Sequence, residues 1–434
     1  MTKHNRRDFF KLTSLALAGS VLPGSAAKAQ ERILKAAGGL APNQKIRIGL
    51  VGCGGRGTGA ANQAMNADPN VELVAMADIF DDQIESSLES LRKVHSDKIN
   101  VPQERKFVGF DSYQKLMNED LDVVLLASPP AFRPVHIEAA VDKGVHIFCE
   151  KPVAVDARGY HKVIDAVDIA TRKNLNIVSG FCWRYHEPKR AFFDRVLDGA
   201  VGDIRAVYTT YNTGAQRFEE REAGWTDEEF VLRNWLYHTW LSGDHLVEQA
   251  VHSLDFMSWA LGEDTPASVM ATGGRQVRTE DQYGYIFDHF ALTYEYDSGV
   301  KGFHMARQQA NCENSYKAEI YGSNGVGIAD VNRGAHRIDG RRTWEYDGEW
   351  NNMYQTQHDE LFAAIRTGQV INDGYNMAKS SMVAIMGRMA AYTGQRVTWE
   401  EAINSDEVLI PDSIAWGEIP NSGVVALPGI TRLT

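Results

Sequence analysis

From Ile46 to Gly180 the sequence alternates between short apolar runs and longer stretches whose apolar residues recur at helical spacing. Short apolar runs are typical of buried strands, and the longer stretches are typical of amphipathic helices. The predicted strands span residues 46–51, 71–77, 123–127, 146–149 and 176–180, and the predicted helices span 57–67, 81–94, 112–117, 134–143 and 157–173. Strands that alternate with helices are joined by right-handed crossovers, so the sequence predicts a parallel sheet.

After about residue 185 the pattern changes to longer β-rich stretches flanked by helices. The predicted strands lie at 203–213, 266–278, 286–297, 300–309 and 316–321, and the predicted helices at 188–198, 244–261, 358–367 and 375–392. Asp297-Ser298-Gly299 separates two alternating runs and is typical of a hairpin turn. Long strands in series predict one large, mostly antiparallel sheet.

A glycine-rich turn, Gly52-Cys53-Gly54-Gly55-Arg56-Gly57, lies between the first predicted strand and the first predicted helix. In a G-x-G-x-x-G turn the glycines allow a tight turn, close approach of a pyrophosphate and close helix packing. The helix N-terminus then offers N–H donors to the phosphates. The sequence therefore predicts a dinucleotide site formed by Gly52, Gly54, Gly55, Arg56 and Gly57.

Asp78 ends the second predicted strand, 21 residues beyond Gly57. A carboxylate at this position accepts hydrogen bonds from ribose hydroxyls and repels a 2′-phosphate, which favours NAD over NADP. The alternative role for Asp78 is that of a helix N-cap. We therefore expect an α/β chain with a lead-in at 30–44, a Rossmann NAD-binding domain at 45–182, an α+β substrate and oligomerisation domain at 183–400 and a C-terminal tail at 401–434.

The first 29 residues have the pattern of an export signal. A paired arginine, Arg6-Arg7, precedes a weakly apolar run from Leu12 to Leu22, and Ala27-Lys28-Ala29 follows as a cleavage site. The apolar run is shorter than the ~20 residues of a membrane-spanning helix. The arginine pair predicts a twin-arginine signal and a periplasmic protein without a stable membrane anchor. The alternative is a disordered basic tail of a cytosolic protein.

The charge argues against nucleic-acid binding, and the cysteine content argues against a disulfide framework and a zinc site. With 45 Lys and Arg against 57 Asp and Glu, the net charge of −12 opposes binding to nucleic acid. The four cysteines are scattered and have no C-x-x-C spacing, which indicates neither a disulfide framework nor a zinc site. We expect four free and mostly buried thiols.

Glu150-Lys151-Pro152 follows the predicted strand 146–149, at the sheet edge where open parallel sheets bind ligands. With the glycine turn, Asp78 and the strand-end Ser128-Pro129-Pro130, the chain from about 45 to 400 resembles the glucose–fructose oxidoreductase, inositol dehydrogenase and rhizopine-catabolism (Gfo/Idh/MocA) family. The resemblance implies that Lys151 lies between nicotinamide and substrate and that the bond before Pro152 is cis. It adds Ser128, Pro129, Glu150 and Lys151 to the cofactor-binding residues, and it implies a homodimer or homotetramer.

A second motif, at 243–255, contains the acid and histidine that the resemblance assigns to catalysis. On one continuous helix His245, Glu248, His252 and Asp255 would share a stripe. The resemblance implies that His252 is the catalytic base, with Glu248 standing where the family normally has aspartate. Two alternatives are a solvated helix face and a metal site of His245, Glu248 and His252; we predict no metal.

Aromatic and polar residues crowd the chain between these two motifs, a composition that suits a carbohydrate substrate. The alternative for each aromatic residue is core packing or an oligomer interface. The predicted substrate contacts are Arg184, Tyr185, Arg233, Asn234, Trp235, His238 and His245.

These features predict an NAD-dependent oxidoreductase that transfers hydride between a secondary hydroxyl of a sugar or glycoside, most plausibly at C3, and a tightly bound nicotinamide. His252 would take the hydroxyl proton, Lys151 would stabilise the developing alkoxide, and Glu248 would orient or tune His252. One alternative is an NAD-dependent glycosidase that oxidises a ring carbon transiently and then eliminates the leaving group. Another is a non-catalytic protein that retains a nucleotide.

Overall fold

The computed structural model describes residues 39–411, 413–420 and 423–433. The predicted export signal and most of the predicted lead-in lie outside the described residues. None of the helices within the described ranges is both long and apolar enough to span a bilayer.

The first half of the chain forms a parallel sheet with helices between its strands, as predicted. Its strands are β1 (Ile46–Val51), β2 (Val71–Asp78), β3 (Lys106–Val108), β4 (Val123–Leu126), β5 (His146–Cys149) and β6 (Ile177–Ser179). Its helices are α1 (Gly55–Ala67), α2 (Asp81–His95), α3 (Ser112–Leu116), α4 (Arg133–Lys143) and α5 (Ala157–Arg172).

The order of the strands is β3-β2-β1-β4-β5-β6, and all described pairs are parallel. The order reverses between β1 and β4, which places the ligand crevice of an open α/β sheet beside the glycine turn. β1 and β4 are buried along almost their whole length, as expected for strands covered on both faces. Strand β3 was not predicted, because it has only three residues and lies at the edge of the sheet, where they are partly exposed.

The second half forms a larger sheet around β7 (Ile204–Thr213), and its mostly antiparallel character is confirmed. The other strands are β8 (Ser268–Gly274), β9 (His289–Glu295), β10 (Lys301–Gln308), β11 (Ser315–Gly322), β12 (Gly325–Asp330), β13 (Ala335–Gly340), β14 (Trp344–Glu345) and β15 (Val397–Thr398). The order is β14-β13-β12-β11-β7-β10-β9-β8-β15, and β7 pairs with β10 in parallel. Asp297-Ser298-Gly299 joins β9 to β10, and Gly299 has a φ of +81°.

The helices of the second half are α6 (Glu187–Leu197), α7 (Asp227–Arg233), α8 (Thr239–Ser242), α9 (His245–Glu248), α10 (Val251–Ala260), α11 (Met353–Thr367), α12 (Gly374–Thr393) and α13 (Trp399–Ile403). Helices α10 and α12 pack against the second sheet in the main core cluster. Helix α11 returns to the first sheet, because Leu361, Phe362 and Ile365 join the apolar cluster of β1 and α1. Part of the range predicted as the second domain, residues 183–400, therefore packs against the first domain.

The predicted helix 244–261 is wrong as a single element, because the chain forms two helices, α9 and α10, that are interrupted at Gln249 and Ala250. Asp244 enters α9 with a φ of +76°, and its carboxylate accepts hydrogen bonds from the backbone N–H groups of His245 at 2.5 Å and Phe287 at 2.8 Å. The N–H of His252 bonds to the Gln249 carbonyl at 3.3 Å, so the helical ladder stops at Glu248.

Candidate active site

The glycine turn has the geometry that a dinucleotide needs. Gly52 has a φ of +89°, and an added Cβ would lie 2.4 Å from the Ser128 backbone nitrogen. A Cβ on Gly57 would lie 1.8 Å from the Gly52 carbonyl oxygen, so both positions exclude a side chain. Within the part of the chain that the structure describes, an added Cβ on Gly55 would meet no atom within 4 Å, and no side chain caps the N-terminus of α1. The donors of this helix end are therefore open to a phosphate group.

Asp78 ends β2 beside this turn. Its carboxylate accepts hydrogen bonds from the backbone N–H groups of Cys53 at 2.6 Å and Phe80 at 3.0 Å. Burial raises the pKa of Asp78, and these two N–H donors oppose the rise. Each carboxylate oxygen has a further lone pair, so Asp78 can still accept hydrogen bonds from ribose hydroxyls.

Arg56 and Glu150 join the glycine turn to the loop after β5. The Arg56 Nε donates to Glu150 Oε1 at 2.5 Å, and its guanidinium lies 5.1 Å from the centre of the Tyr354 ring. The Glu150 side chain packs so tightly on Gly180 that a Cβ there would lie 2.4 Å from Glu150 Oε2. The structure thus brings these two predicted cofactor residues together.

Arg133, which the sequence analysis missed, braces the loops that carry the predicted residues Ser128, Pro129 and Lys151. Its buried guanidinium donates to the Ser128 carbonyl at 2.9 Å and to the Pro152 carbonyl at 2.5 Å. The bond between Lys151 and Pro152 is cis, as the resemblance implied. Arg133 shares a helix face with the apolar residues Ile137 and Ala140, and this spacing was the available signal for a buried position.

Lys151 and Glu248 meet at the centre of the site. The Lys151 ammonium donates to Glu248 Oε1 at 3.1 Å and also to the Glu248 backbone carbonyl. That carbonyl can accept a hydrogen bond from Lys151 because the His252 N–H, which would bond to it in a continuous helix, bonds to the Gln249 carbonyl instead. Both side chains are largely buried, with 12% of each exposed. Glu248 therefore acts on Lys151, whereas the sequence analysis paired it with His252.

His252 lies in the first turn of α10 against aromatic rings. Its half-buried ring has its centre 4.9 Å from that of Trp183 and 5.8 Å from that of Phe181. Its buried Nδ1 has no hydrogen-bond partner among the described residues. Burial lowers the pKa of His252 well below its usual value, and the positive charges of Lys151 and Lys189 lower it further. The imidazole is therefore neutral at pH 7 and able to accept a proton.

Two tyrosines beside this centre were missed from the sequence. Tyr211 on β7 and Tyr316 on β11 have ring centres 4.8 Å apart, and Tyr211 lies 6.3 Å from the Trp183 ring. Burial raises the pKa of Tyr211, and the charge of Glu248 raises it further. Only strand register, which places neighbouring residues of β7 and β11 side by side, brings these rings together.

Arg184 and Tyr185, predicted as substrate contacts, are bound to other parts of the protein. The Arg184 guanidinium forms a bidentate pair with the Asp255 carboxylate at 2.7 and 2.8 Å and a further ion pair with Glu263 at 2.7 Å. The Tyr185 hydroxyl donates to Asp373 Oδ2 at 2.5 Å. Each of these side chains is oriented by a buried carboxylate, which argues for a structural role.

The residues predicted at 233–238 are held by other residues of the protein. Arg233 forms ion pairs with Asp82 and Glu229, and the Asn234 side chain is bonded to the backbone of Glu219 and Phe230. Trp235 packs at the edge of the apolar cluster that contains Trp240 and Leu241.

His238 is buried, and burial lowers its pKa to about 4. It lines a cavity of about 440 Å³ together with Phe218, Arg221 and Tyr285. Lys151 and Glu248 are not among the residues that line this cavity.

The predicted stripe of His245, Glu248, His252 and Asp255 is not one face, because the break at Gln249 turns the two helices apart. The ring of His245 lies near the Asp244 carboxylate and the Phe287 carbonyl at 3.1 and 3.2 Å, and Asp255 belongs to the Arg184 pair. Within the described ranges no group of three or more His, Cys, Asp or Glu side chains is arranged to hold a metal ion. The metal alternative is therefore not supported. Cys53, Cys149 and Cys182 are buried free thiols, and Cys312 is an exposed one.

Comparison with known proteins gives matches along both halves of the chain. The family model described as an oxidoreductase family with an NAD-binding Rossmann fold matches residues 46–180, and the model of the same family's C-terminal domain matches residues 190–327. Inositol 2-dehydrogenase of Burkholderia ambifaria is 24% identical over 357 residues, which cover 80% of this chain and 94% of that protein. Inositol 2-dehydrogenase 4 of Saccharopolyspora erythraea is 25% identical over 298 residues, 65% of this chain and 76% of that protein.

Solved structures share the fold. An aldose–aldose oxidoreductase from Caulobacter crescentus, complexed with glycerol, superposes with a TM-score of 0.64 at 19% identity over 82% of this chain and 100% of that chain. A levoglucosan dehydrogenase in complex with NADH and levoglucosan gives a TM-score of 0.64 at 19% identity over 82% of this chain and 99% of that chain. The two family models together match well over half of the residues. The chain therefore belongs to the Gfo/Idh/MocA family of NAD-binding oxidoreductases.

Proposed function

We propose that this oxidoreductase transfers hydride between a secondary hydroxyl of a sugar or glycoside, at ring carbon C3, and a nicotinamide that stays bound between turnovers. The observation that carries this proposal is the meeting of Lys151, Glu248 and His252 beside the loop after β5. The named relatives, two inositol dehydrogenases and a levoglucosan dehydrogenase, act on cyclic polyols or sugars by their names. The rings of Trp183, Tyr211 and Tyr316 offer apolar surface to the faces of a sugar ring.

The residues beside the crevice fit NAD. The open N-terminus of α1 would hold the pyrophosphate, and Asp78 would accept hydrogen bonds from the ribose hydroxyls. The Asp78 carboxylate also repels a 2′-phosphate, which agrees with NAD as the cofactor. When bound, NAD supplies the hydride acceptor of the reaction.

Lys151 stabilises the substrate oxygen as it becomes an alkoxide. An ammonium group has three N–H donors, and Lys151 directs two hydrogen bonds to Glu248, so the third is available to the substrate oxygen. The two bonds to Glu248 hold the ammonium in place before substrate binds. A fixed positive charge of this kind lowers the energy of a developing negative charge without reorganisation.

His252 is the proton acceptor of the proposed reaction. Its neutral imidazole can take the hydroxyl proton as hydride leaves the carbon that bears this hydroxyl. The neighbouring Trp183 ring limits how the imidazole can turn. Reversal of these steps returns the proton to a keto-sugar. A retained cofactor would be reset by a second sugar or keto-sugar, which predicts ping-pong kinetics.

The direct test is incubation of the holoprotein with simple glucosides in D₂O, followed by NMR. A 3-keto product with an intact glycosidic bond supports the dehydrogenase, and release of the aglycone by this protein alone indicates the glycosidase. Nicotinamide absorbance that never changes with any sugar, in either direction, would favour a nucleotide-retaining binding protein. Mass spectrometry of the denatured protein should show NAD(H) that was carried through purification, and finding only NADP would contradict the choice of cofactor.

We also propose export through the twin-arginine pathway, which carries folded proteins, so that NAD loads before export. Replacing Arg6 and Arg7 by lysine should then retain the protein and its NAD in the cytoplasm. Cell fractionation measures this, and unchanged periplasmic yield would contradict it.

A homo-oligomer is proposed through the outer face of the second sheet. Met270 on β8, Phe303 and Met305 on β10 and Tyr321 on β11 present exposed apolar side chains on this face. Sedimentation of the purified protein tests this proposal. A species with the mass of one chain at every concentration would refute it.

A further inference from the structure

We infer that the C-terminal tail segment, residues 404–411 and 413–420, forms an outer wall over the adenosine half of the NAD site and slows release of the nucleotide. The position of the adenosine half can be inferred from the residues that line the crevice. With pyrophosphate on the N-terminus of α1 and a ribose on Asp78, the adenine extends toward the loops that follow β2 and its neighbours. The inference depends on NAD binding and is independent of the sugar that the protein oxidises.

The tail segment packs on those loops. Leu409, Ile410, Ile414 and Ile419 belong to one apolar cluster with residues from the first domain. The first-domain members follow the ends of β2, β3 and β4 and are Ile79, Phe80, Phe110, Ala131 and Phe132. One segment therefore contacts the loops after three strands, at the edge of the sheet where the nucleotide would lie.

Trp416 marks the centre of this contact. Its ring centre lies 5.3 Å from that of Phe110 and 6.3 Å from that of Phe80. Phe80 is two residues beyond Asp78, so the contact lies directly beside the ribose carboxylate.

Polar contacts fasten the tail segment to helix α7. The Glu228 carboxylate accepts hydrogen bonds from the backbone N–H groups of Gly417 at 2.8 Å and Ile419 at 3.0 Å. From the same helix Arg233 pairs with both carboxylate oxygens of Asp82 at 2.9 and 3.0 Å, and its guanidinium lies 4.0 Å from the Phe80 ring. Helix α7 thus joins the tail segment to the start of α2.

The beginning of the tail segment is held independently of this contact. Glu407 pairs with the buried Arg388, and the Leu409 N–H donates to Asp156 Oδ2 at 3.1 Å. Both anchors precede Pro411. Removal of the residues beyond Pro411 therefore takes away the part of the wall that carries Trp416, Gly417 and Ile419 and leaves the anchored part in place. The adenosine half can leave toward solvent only when the contacts of Trp416 and Glu228 open.

The test measures release of NADH from the purified holoprotein in the absence of sugar. Bound NADH is followed by its fluorescence after a large excess of NAD is added. Three variants probe the wall: Trp416→Ala, Glu228→Gln, and the chain ended at Pro411. Val424→Ala is the matched control, because Val424 lies further along the tail and is 86% exposed.

We expect the shortened chain to release NADH about tenfold faster than wild type or more, with smaller accelerations for the two point variants and none for Val424→Ala. The melting temperature of the apoprotein should change little for the point variants, so they remain informative if the shortened chain does not fold. Release at the wild-type rate from Trp416→Ala and Glu228→Gln would overturn the inference, as would an equal acceleration by Val424→Ala. Because no sugar is present, this outcome is distinguishable from failure of the proposed dehydrogenase activity.

Discussion

The substitution Arg184→Met tests whether Arg184 binds the substrate or forms a structural ion pair. The sequence suggested that Arg184 binds sugar, whereas the structure places its guanidinium on Asp255 and Glu263. The Asp255 side chain is 2% exposed, and the Ser380 hydroxyl donates to it at 2.7 Å. Methionine keeps the length and much of the volume of arginine, so the change removes charge and donors while filling most of the space.

The expected loss follows from the burial of the pair. Removing one partner of a buried ion pair leaves an uncompensated charge and destabilises by ~3–5 kcal/mol. In Arg184→Met, the Ser380 hydroxyl is the one side-chain donor to Asp255 that remains among the described residues. A loss of this size in a chain of this length corresponds to a fall in Tm of about 3–6 °C, because the entropy of unfolding grows with the number of residues.

The loss should depend on pH. Burial already raises the pKa of Glu263, and Arg184 opposes that rise, so removal of Arg184 raises the pKa further. A carboxyl whose pKa is higher in the folded state binds more protons there than in the unfolded state. Stability then falls as pH rises through the interval between the two pKa values. Arg184→Met should therefore lose less stability near the lower end of that interval than at neutral pH.

The assay combines thermal unfolding followed by circular dichroism with single-turnover hydride transfer well below the melting transition. We expect a lowered Tm and nearly unchanged hydride transfer. The double variant Arg184→Met, Asp255→Asn removes both charges and should lose less than the sum of the single changes. An unchanged Tm together with a tenfold or larger rise in KM for the sugar, equivalent to ~1.4 kcal/mol, would refute the structural role.

Three further predictions concern the proposed chemistry and the cofactor. Lys151→Ala and His252→Ala should each remain folded at the assay temperature and lose ~10²–10⁴-fold in hydride transfer, and turnover within about threefold of wild type would contradict the assigned roles. Asp78→Ala should weaken NAD binding and reduce discrimination against NADP, as measured by titration of the apoprotein with both nucleotides. Burial lowers the pKa of Lys189 to about 8, so the folded state binds fewer protons above that pH than the unfolded state does, and wild-type stability should rise with pH between about 8 and 10. Lys189→Met should abolish that rise and be the more stable protein below pH 8, and a rise retained in the variant would assign it to another group.

The first sheet could be predicted closely from sequence, because both of its strand faces are buried and its helices are amphipathic. Strands β1 and β5 begin and end where the apolar runs do, and the others differ by one or two residues, except for the missed β3. The second sheet was incomplete in the prediction. Strands β12 to β14 alternate glycine, charged and half-exposed residues, so their apolar pattern is weak.

The candidate site was predictable where a motif fixes both the residue and its place. The glycine turn, Asp78 and Lys151 are of this kind, since each follows directly from the end of a strand. The substrate contacts were chosen by residue type, and residue type does not show which partner a side chain meets. Arg184 and Tyr185 follow β6 as expected, but buried carboxylates from α10 and from the start of α12 orient them away from that role.

The partner of Lys151 shows why the catalytic centre could not be derived from periodicity. Helical spacing treats Glu248 and His252 as neighbours on one face and satisfies the Glu248 carbonyl within the helix. The break at Gln249 frees that carbonyl, and Lys151 bonds both to it and to the side chain of the same residue. The short helix that ends at this break begins at Asp244, whose buried carboxylate accepts hydrogen bonds from the Phe287 N–H and the Tyr392 hydroxyl. The Lys151 ammonium is therefore positioned by the end of a helix whose start is held by residues distant in sequence.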